Sequence, residues 1–196
     1  MSIRLPIRRL CWIGAACAWA APSLTARAET VDPIKTAQVK AAYLYNFAKF
    51  TTWPNNAFAD ESSPVVIGIL GVDPFGETLD KTVEGKTVEN RKFLVKRLPP
   101  RSENDRTALR SCHILYISES LQSRWGSILE LLGDAPVLVV GESDEFAAAG
   151  GMLSFVLSGG NIVFHINRDA VERSKLQLSS KLMKLAKVVH RKGTEG

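Results

Sequence analysis

Histidines, cysteines and grouped carboxylates are the side chains best suited to metal binding, nucleophilic attack and proton transfer, so their spacing comes first. The chain carries His113, His165 and His190, and no two of them stand at metal-ligand spacing. Its cysteines are Cys11, Cys17 and Cys112. The first two fall in a leader expected to be removed, and one remaining thiol can build neither a zinc site nor an internal disulfide. Gly68, Gly71 and Gly76 are spaced G-x-x-G-x-x-x-x-G. That is not the G-x-G-x-x-G in which each glycine has a steric role beside a pyrophosphate. Neither a G-x-x-x-x-G-K-[ST] phosphate loop nor a G-x-S-x-G nucleophile elbow occurs. Asp144 and Glu145 read as a solvated pair in a polar loop. No catalytic set emerges, and the expectation is a protein that is not an enzyme, with no metal and no cofactor.

One polar feature asks for more. In the strand-like run 162–167, alternation places Ile162, Phe164 and Ile166 on one face and Val163, His165 and Asn167 on the other. His165 and Asn167 then project together from the strand's C-terminal end, where open α/β sheets hold ligands. Either His165 is a histidine satisfied by a nearby bond, or it is the hydrogen-bonding group and pH sensor of a small-molecule pocket. Ser154, in the preceding strand, joins His165 and Asn167 as a ligand-binding candidate.

These residues need elements to hold them. Asp32 and Pro33 open a helix over 33–50, with Val39, Tyr43, Phe47 and Phe50 at helical spacing and Ala37, Ala41, Leu44 and Ala48 widening the stripe. Buried strands are expected at 65–70, 113–117 and 137–140, and a more exposed one at 91–98. Helices are expected at 75–83, 102–110 and 121–132, with a helical turn at 142–149. Strands 152–157 and 162–166 flank Ser158-Gly159-Gly160-Asn161, a hairpin-turn composition. A long helix over 168–190 closes the chain.

Such alternation predicts a three-layer α/β sandwich. Its sheet is mainly parallel, with an antiparallel C-terminal hairpin at one edge and the long C-terminal helix packed on it. In that helix Val171, Leu178, Leu182, Leu185 and Val189 form one stripe, while Leu176 and Met183 lie on another. The second stripe is either more core-facing surface or an interface with a partner or a second copy. Cys112 precedes an apolar strand, which favours a buried structural thiol; an intermolecular or catalytic thiol is the alternative.

Composition sets the class. The chain has 196 residues, 45% hydrophobic and 23% charged, with a formal charge of +5. Arg4, Arg8, Arg9 and Arg27 account for most of that excess, leaving the remainder at +1. A nucleic-acid partner is therefore not expected, because the folded part lacks a phosphate-neutralising excess. Residues 1–28 read as a cleaved signal peptide: a basic start, an apolar run over 10–21, and Ala26-Arg27-Ala28 as cleavage site. The apolar run is shorter than the roughly 20 residues a membrane span needs. Export by the general route and a single periplasmic domain over 29–196 follow as expectations.

Three separated segments look familiar. They are Val39-Lys40-Ala41-Ala42-Tyr43-Leu44-Tyr45-Asn46-Phe47-Ala48-Lys49-Phe50 with Trp53-Pro54; Cys112-His113-Ile114-Leu115-Tyr116-Ile117; and a closing set. The closing set runs Gly150-Gly151-Met152-Leu153-Ser154-Phe155, Phe164-His165-Ile166-Asn167 and Leu176-Gln177-Leu178-Ser179-Ser180-Lys181-Leu182. In this order they resemble the YfiR-like family of exported bacterial proteins, across essentially the whole expected mature chain. The resemblance implies a periplasmic α/β sandwich that dimerises and negatively regulates a membrane-bound diguanylate cyclase or other membrane sensor, lowering cyclic di-GMP and governing biofilm formation. The family's namesake uses disulfides in its regulation, whereas Cys112 has no internal partner here, so redox control by an internal bridge is not expected. The competing expectation is a periplasmic small-ligand binding module without a cyclase partner.

Overall fold

The computed structural model describes residues 32–99 and 101–189; the expected signal peptide and the last residue of the expected closing helix lie outside these. Helix α1 (Pro33–Lys49) begins where the Asp32 carboxylate accepts from the Ile34 N–H at 2.9 Å, with Pro33 in the first turn. Its buried stripe is Ala37, Lys40, Ala41, Leu44, Phe47 and Ala48, so a lysine stands among the apolar residues. Val39, expected in the stripe, is instead 40% exposed.

After α1 come β1 (Thr51–Thr52), β2 (Val65–Leu70), α2 (Glu77–Val83), β3 (Thr87–Val88), β4 (Arg91–Arg97) and α3 (Arg106–Arg110). Strand β5 (Ile114–Ile117), α4 (Trp125–Leu132), β6 (Leu138–Glu142), α5 (Ser143–Ala148), β7 (Leu153–Ser158) and β8 (Asn161–Asn167) follow. The chain continues through α6 (Arg168–Arg173), β9 (Gln177–Leu178), α7 (Ser180–Leu185) and β10 (Lys187–Val189). Two expected helices start as tighter turns: 102–110 is re-capped by Asp105, and 121–132 enters through a 3-10 stretch, Glu119–Arg124.

The main sheet has eight strands in the order β10-β8-β7-β6-β5-β2-β4-β3. Pairing is parallel from β4 through β2, β5 and β6 to β7, and antiparallel between β7 and β8. This is the expected three-layer α/β architecture with its hairpin. On one face, Tyr43 and Phe47 of α1 pack on Phe155 and Phe164, which are cross-strand partners. On the other, Trp125 of α4 meets Phe146 of α5 edge-on, with ring centroids 5.0 Å apart.

Two expectations about the C-terminal segment are corrected. The long closing helix does not form: α6 ends by Ser174, Lys175 takes a left-handed φ of 61°, and Ser179 caps a separate α7. Competing hydrogen-bond partners explain the break. Gln177–Leu178 pairs antiparallel with β1, and β10 pairs parallel with β8. Accordingly the hairpin is not the sheet edge, since β10 lies outside it.

Candidate functional site

Strand β2 has β4 on one side and β5 on the other, so the chain reverses its direction of travel across the sheet at β2–β5. Crevices at the C-terminal ends of the strands near such a point are where α/β folds hold ligands. A cavity of about 710 Å³ opens at that rim. Pro74 follows β2, Glu119 follows β5, and Glu142, Ser143, Asp144 and Glu145 span the β6–α5 junction. Phe155, Val156, Leu157 and Ile162 from the hairpin form another wall, and Pro33, Thr36, Ala37 and Lys40 of α1 close the top.

A buried ionic chain lies in this wall. Lys40 Nζ is 2.7 Å from Glu142 Oε2, with the two side chains 9% and 21% exposed. The Tyr116 hydroxyl donates to Glu142 Oε1. Burial, reinforced by the Glu142 carboxylate, pushes the Tyr116 phenol well above its ordinary range and keeps it a donor. Nearby, Arg97 of β4 reaches Asp73 at 2.8 Å and Asp80 at 2.6 Å and fixes the β2–α2 loop.

The sequence candidates lie elsewhere. Ser154 and His165 are register partners, and because Phe155 and Phe164 face α1, both project towards α5. There His165 Nδ1 is 2.6 Å from Asp144 Oδ1. Asp144 is therefore not merely solvated, as the loop composition suggested, but holds a histidine from another element. Asn167 Nδ2 donates to the Ala147 carbonyl at 3.0 Å, and its Oδ1 accepts from the Ala170 N–H at 3.1 Å, capping α6. Ser154 Oγ is buried without a partner among the described residues. All three residues are buried, at 5% exposure for His165 and 0% for Asn167 and Ser154.

So the structure groups these three on one face, as alternation requires, but beneath α5. The expected position at the ligand-holding rim fails for a topological reason. Strand β8 runs antiparallel to β7, so its C-terminal end points to the N-terminal ends of the parallel strands. The seal is tight: a Cβ on Gly141 or Gly151 would come within 2.5 Å and 2.1 Å of the Phe146 ring. Lys40, Glu142 and Tyr116 were missed as a site. The available signal was a lysine on the apolar stripe of α1 and a glutamate ending an apolar strand.

Leu176 is 4% exposed, Met183 is half-buried, and both border a groove of about 260 Å³ beside α6. Cys112 is buried against Gly68, and burial raises its thiol pKa, in keeping with an inert structural role. His113 is likewise structural: Nδ1 accepts from the Val66 N–H at 3.0 Å while Nε2 stands 3.1 Å from the Ala57 carbonyl. That pattern requires the neutral ring with its proton on Nε2. Burial pushes its pKa below the ordinary 6.5. Among the described residues, no three His, Cys, Asp or Glu side chains gather as a metal site.

A sequence model of the YfiR/HmsC-like family matches residues 37–187, and the chain belongs to that family. Its members are periplasmic regulators of diguanylate cyclase signalling. No curated protein matches the chain. In fold it is similar to a conserved domain protein from Vibrio cholerae O1 biovar El Tor, at 11% identity and a TM-score of 0.50, over 65% of this chain and 55% of that one. It is also similar to the ABC domain in complex with L-Trp from Streptococcus pneumonia, at 10% identity and a TM-score of 0.53, over 78% and 60% of the two chains. The chain thus spans under two thirds of either structure, and at these identities the likeness concerns fold alone. Among the described residues no helix is long and apolar enough to cross a membrane.

Proposed function

We propose that this chain is exported, trimmed after Ala28, and in the periplasm binds and represses a membrane-bound diguanylate cyclase, lowering cyclic di-GMP. The family match over residues 37–187 carries the reading. A partner of this kind shifts the cyclase's equilibrium only through unequal affinity for its active and inactive states. Leu176 and Met183 bordering one groove support that surface as the contact with the cyclase's periplasmic region or with a second copy. His165, Asn167 and Ser154 retain a ligand role in this proposal only if α5 lifts from the hairpin.

Deleting the gene in its native host should raise cyclic di-GMP and biofilm mass, with restoration by the secreted protein but not by a leaderless version. Unchanged cyclic di-GMP in the presence of a working cyclase overturns the reading. Met183→Asp should weaken capture of the cyclase's periplasmic region while leaving the melting temperature within a few degrees. Undiminished capture removes this groove from the interface.

A further inference from the structure

The rim cavity has a charge pattern that the repressor reading does not use. Five of its lining residues ionise: one cation, Lys40, and four carboxylates, Glu119, Glu142, Asp144 and Glu145. Lys40 and Glu142 neutralise one another at 2.7 Å. Asp144 is engaged by His165 at 2.6 Å, which leaves two carboxylates at the mouth, Glu119 and Glu145, and among the described residues neither has an ion-pair partner. Below them the wall is apolar. Leu157 is 53% exposed there, alongside Phe155 and Ile162. Folding gains little from a leucine left in water, whereas a ligand's apolar body would cover it.

The deep end also has unused hydrogen-bonding capacity. Lys40 is nine-tenths buried, and among the described residues Glu142 alone engages its ammonium, through one contact, leaving two of its three N–H donors for an acceptor. Ser143 Oγ, in the same wall, makes no well-formed hydrogen bond among the described residues. Carboxylates at the mouth, an apolar middle and a buried donor at the far end define one ligand outline. The volume lies within the range of small-molecule sites.

We infer that this cavity binds a small organic cation: an amine held by Glu119 and Glu145, with its apolar body on Phe155, Leu157 and Ile162 and an oxygen acceptor at Lys40. The inference concerns the isolated chain. Its failure leaves the repressor reading untouched, because that reading is tested on cyclic di-GMP in cells.

Tyramine has the required outline, and calorimetric titration of the purified chain is the test. Tyramine should bind saturably, and its matched anion, hydroxyphenylacetate, about tenfold more weakly or not at all. Phenethylamine, which lacks the oxygen, should lose about threefold to tenfold. The double variant Glu119→Gln/Glu145→Gln, altered only at exposed positions, should weaken tyramine by about fivefold, and Leu157→Ala by a similar factor. Unchanged circular dichroism and melting would show that these losses are not unfolding. No saturable tyramine binding at millimolar concentration, an anion that binds as well as the amine, or affinity unaltered by the double variant overturns the inference.

Discussion

The rim cavity and the cluster under α5 are built from the same stretch of sheet, the ends of β6, β7 and β8, and both hold buried polar side chains. They differ in what covers them. At the rim, Lys40 and Tyr116 both bond Glu142 beside open space, and Lys40 keeps donors to spare. Under α5, the Phe146 ring lies against Gly141 and Gly151, and His165 and Asn167 hold the helix down from below. Polar residues can therefore serve as the wall of a site or as the fastening of a lid, and only access distinguishes the two.

The largest expected effect tests the rim. Glu142→Gln leaves Lys40 buried without its carboxylate and should cost about 3 kcal/mol in urea denaturation. Pairing it with Lys40→Met should recover most of the loss; a cost no larger than a surface pair's would mean that the rim is effectively in water. Next comes the seal. Gly151→Ala forces the Phe146 ring to move and should cost about 2 kcal/mol. It should also speed exchange of backbone amides in α5, and unaltered exchange would show that Phe146 is not what holds the helix.

Asn167→Ala removes both the α6 cap and the bond to Ala147 and should cost about 1.5 kcal/mol. His113 provides a pH control away from both regions. Its folded pKa is depressed, so the unfolded chain binds the extra proton. Its contribution to stability is complete above about pH 6.5 and is lost as pH falls through the lower folded value. A plot of melting temperature against pH should flatten in His113→Gln. The smallest effect is Ser154→Ala, which deletes a buried hydroxyl without a partner among the described residues and should stabilise by up to about 1 kcal/mol. Destabilisation instead would reveal a partner for Ser154 and reopen the sealed cluster as a site.

Much of the architecture was legible in the chain. The strands of the parallel core are short β-branched runs bounded by turn residues, and the hairpin follows from Ser158-Gly159-Gly160-Asn161. The closing segment was not legible, because its apolar residues suit a helix and the strands that compete for it come from residues far away, Thr51–Thr52 and β8. Alternation correctly put His165 and Asn167 on one face. It could not give the direction of β8 relative to its neighbours, and that direction decides which end of the sheet they approach. Lys40 lay hidden in the family-like motif as one charge on an apolar stripe, with its partner some hundred positions further along the chain.

By itself the sequence determined the class of fold, the family and the residue types available for polar work, because periodicity, turn chemistry and motif order are local properties. Tertiary structure decided which of those residues meet open space. The direction of one strand and the position of one phenylalanine ring seal His165, whereas the crossing of α1 over the strand ends leaves Lys40 beside a cavity. Access depends on how distant elements pack, and no local pattern encodes it.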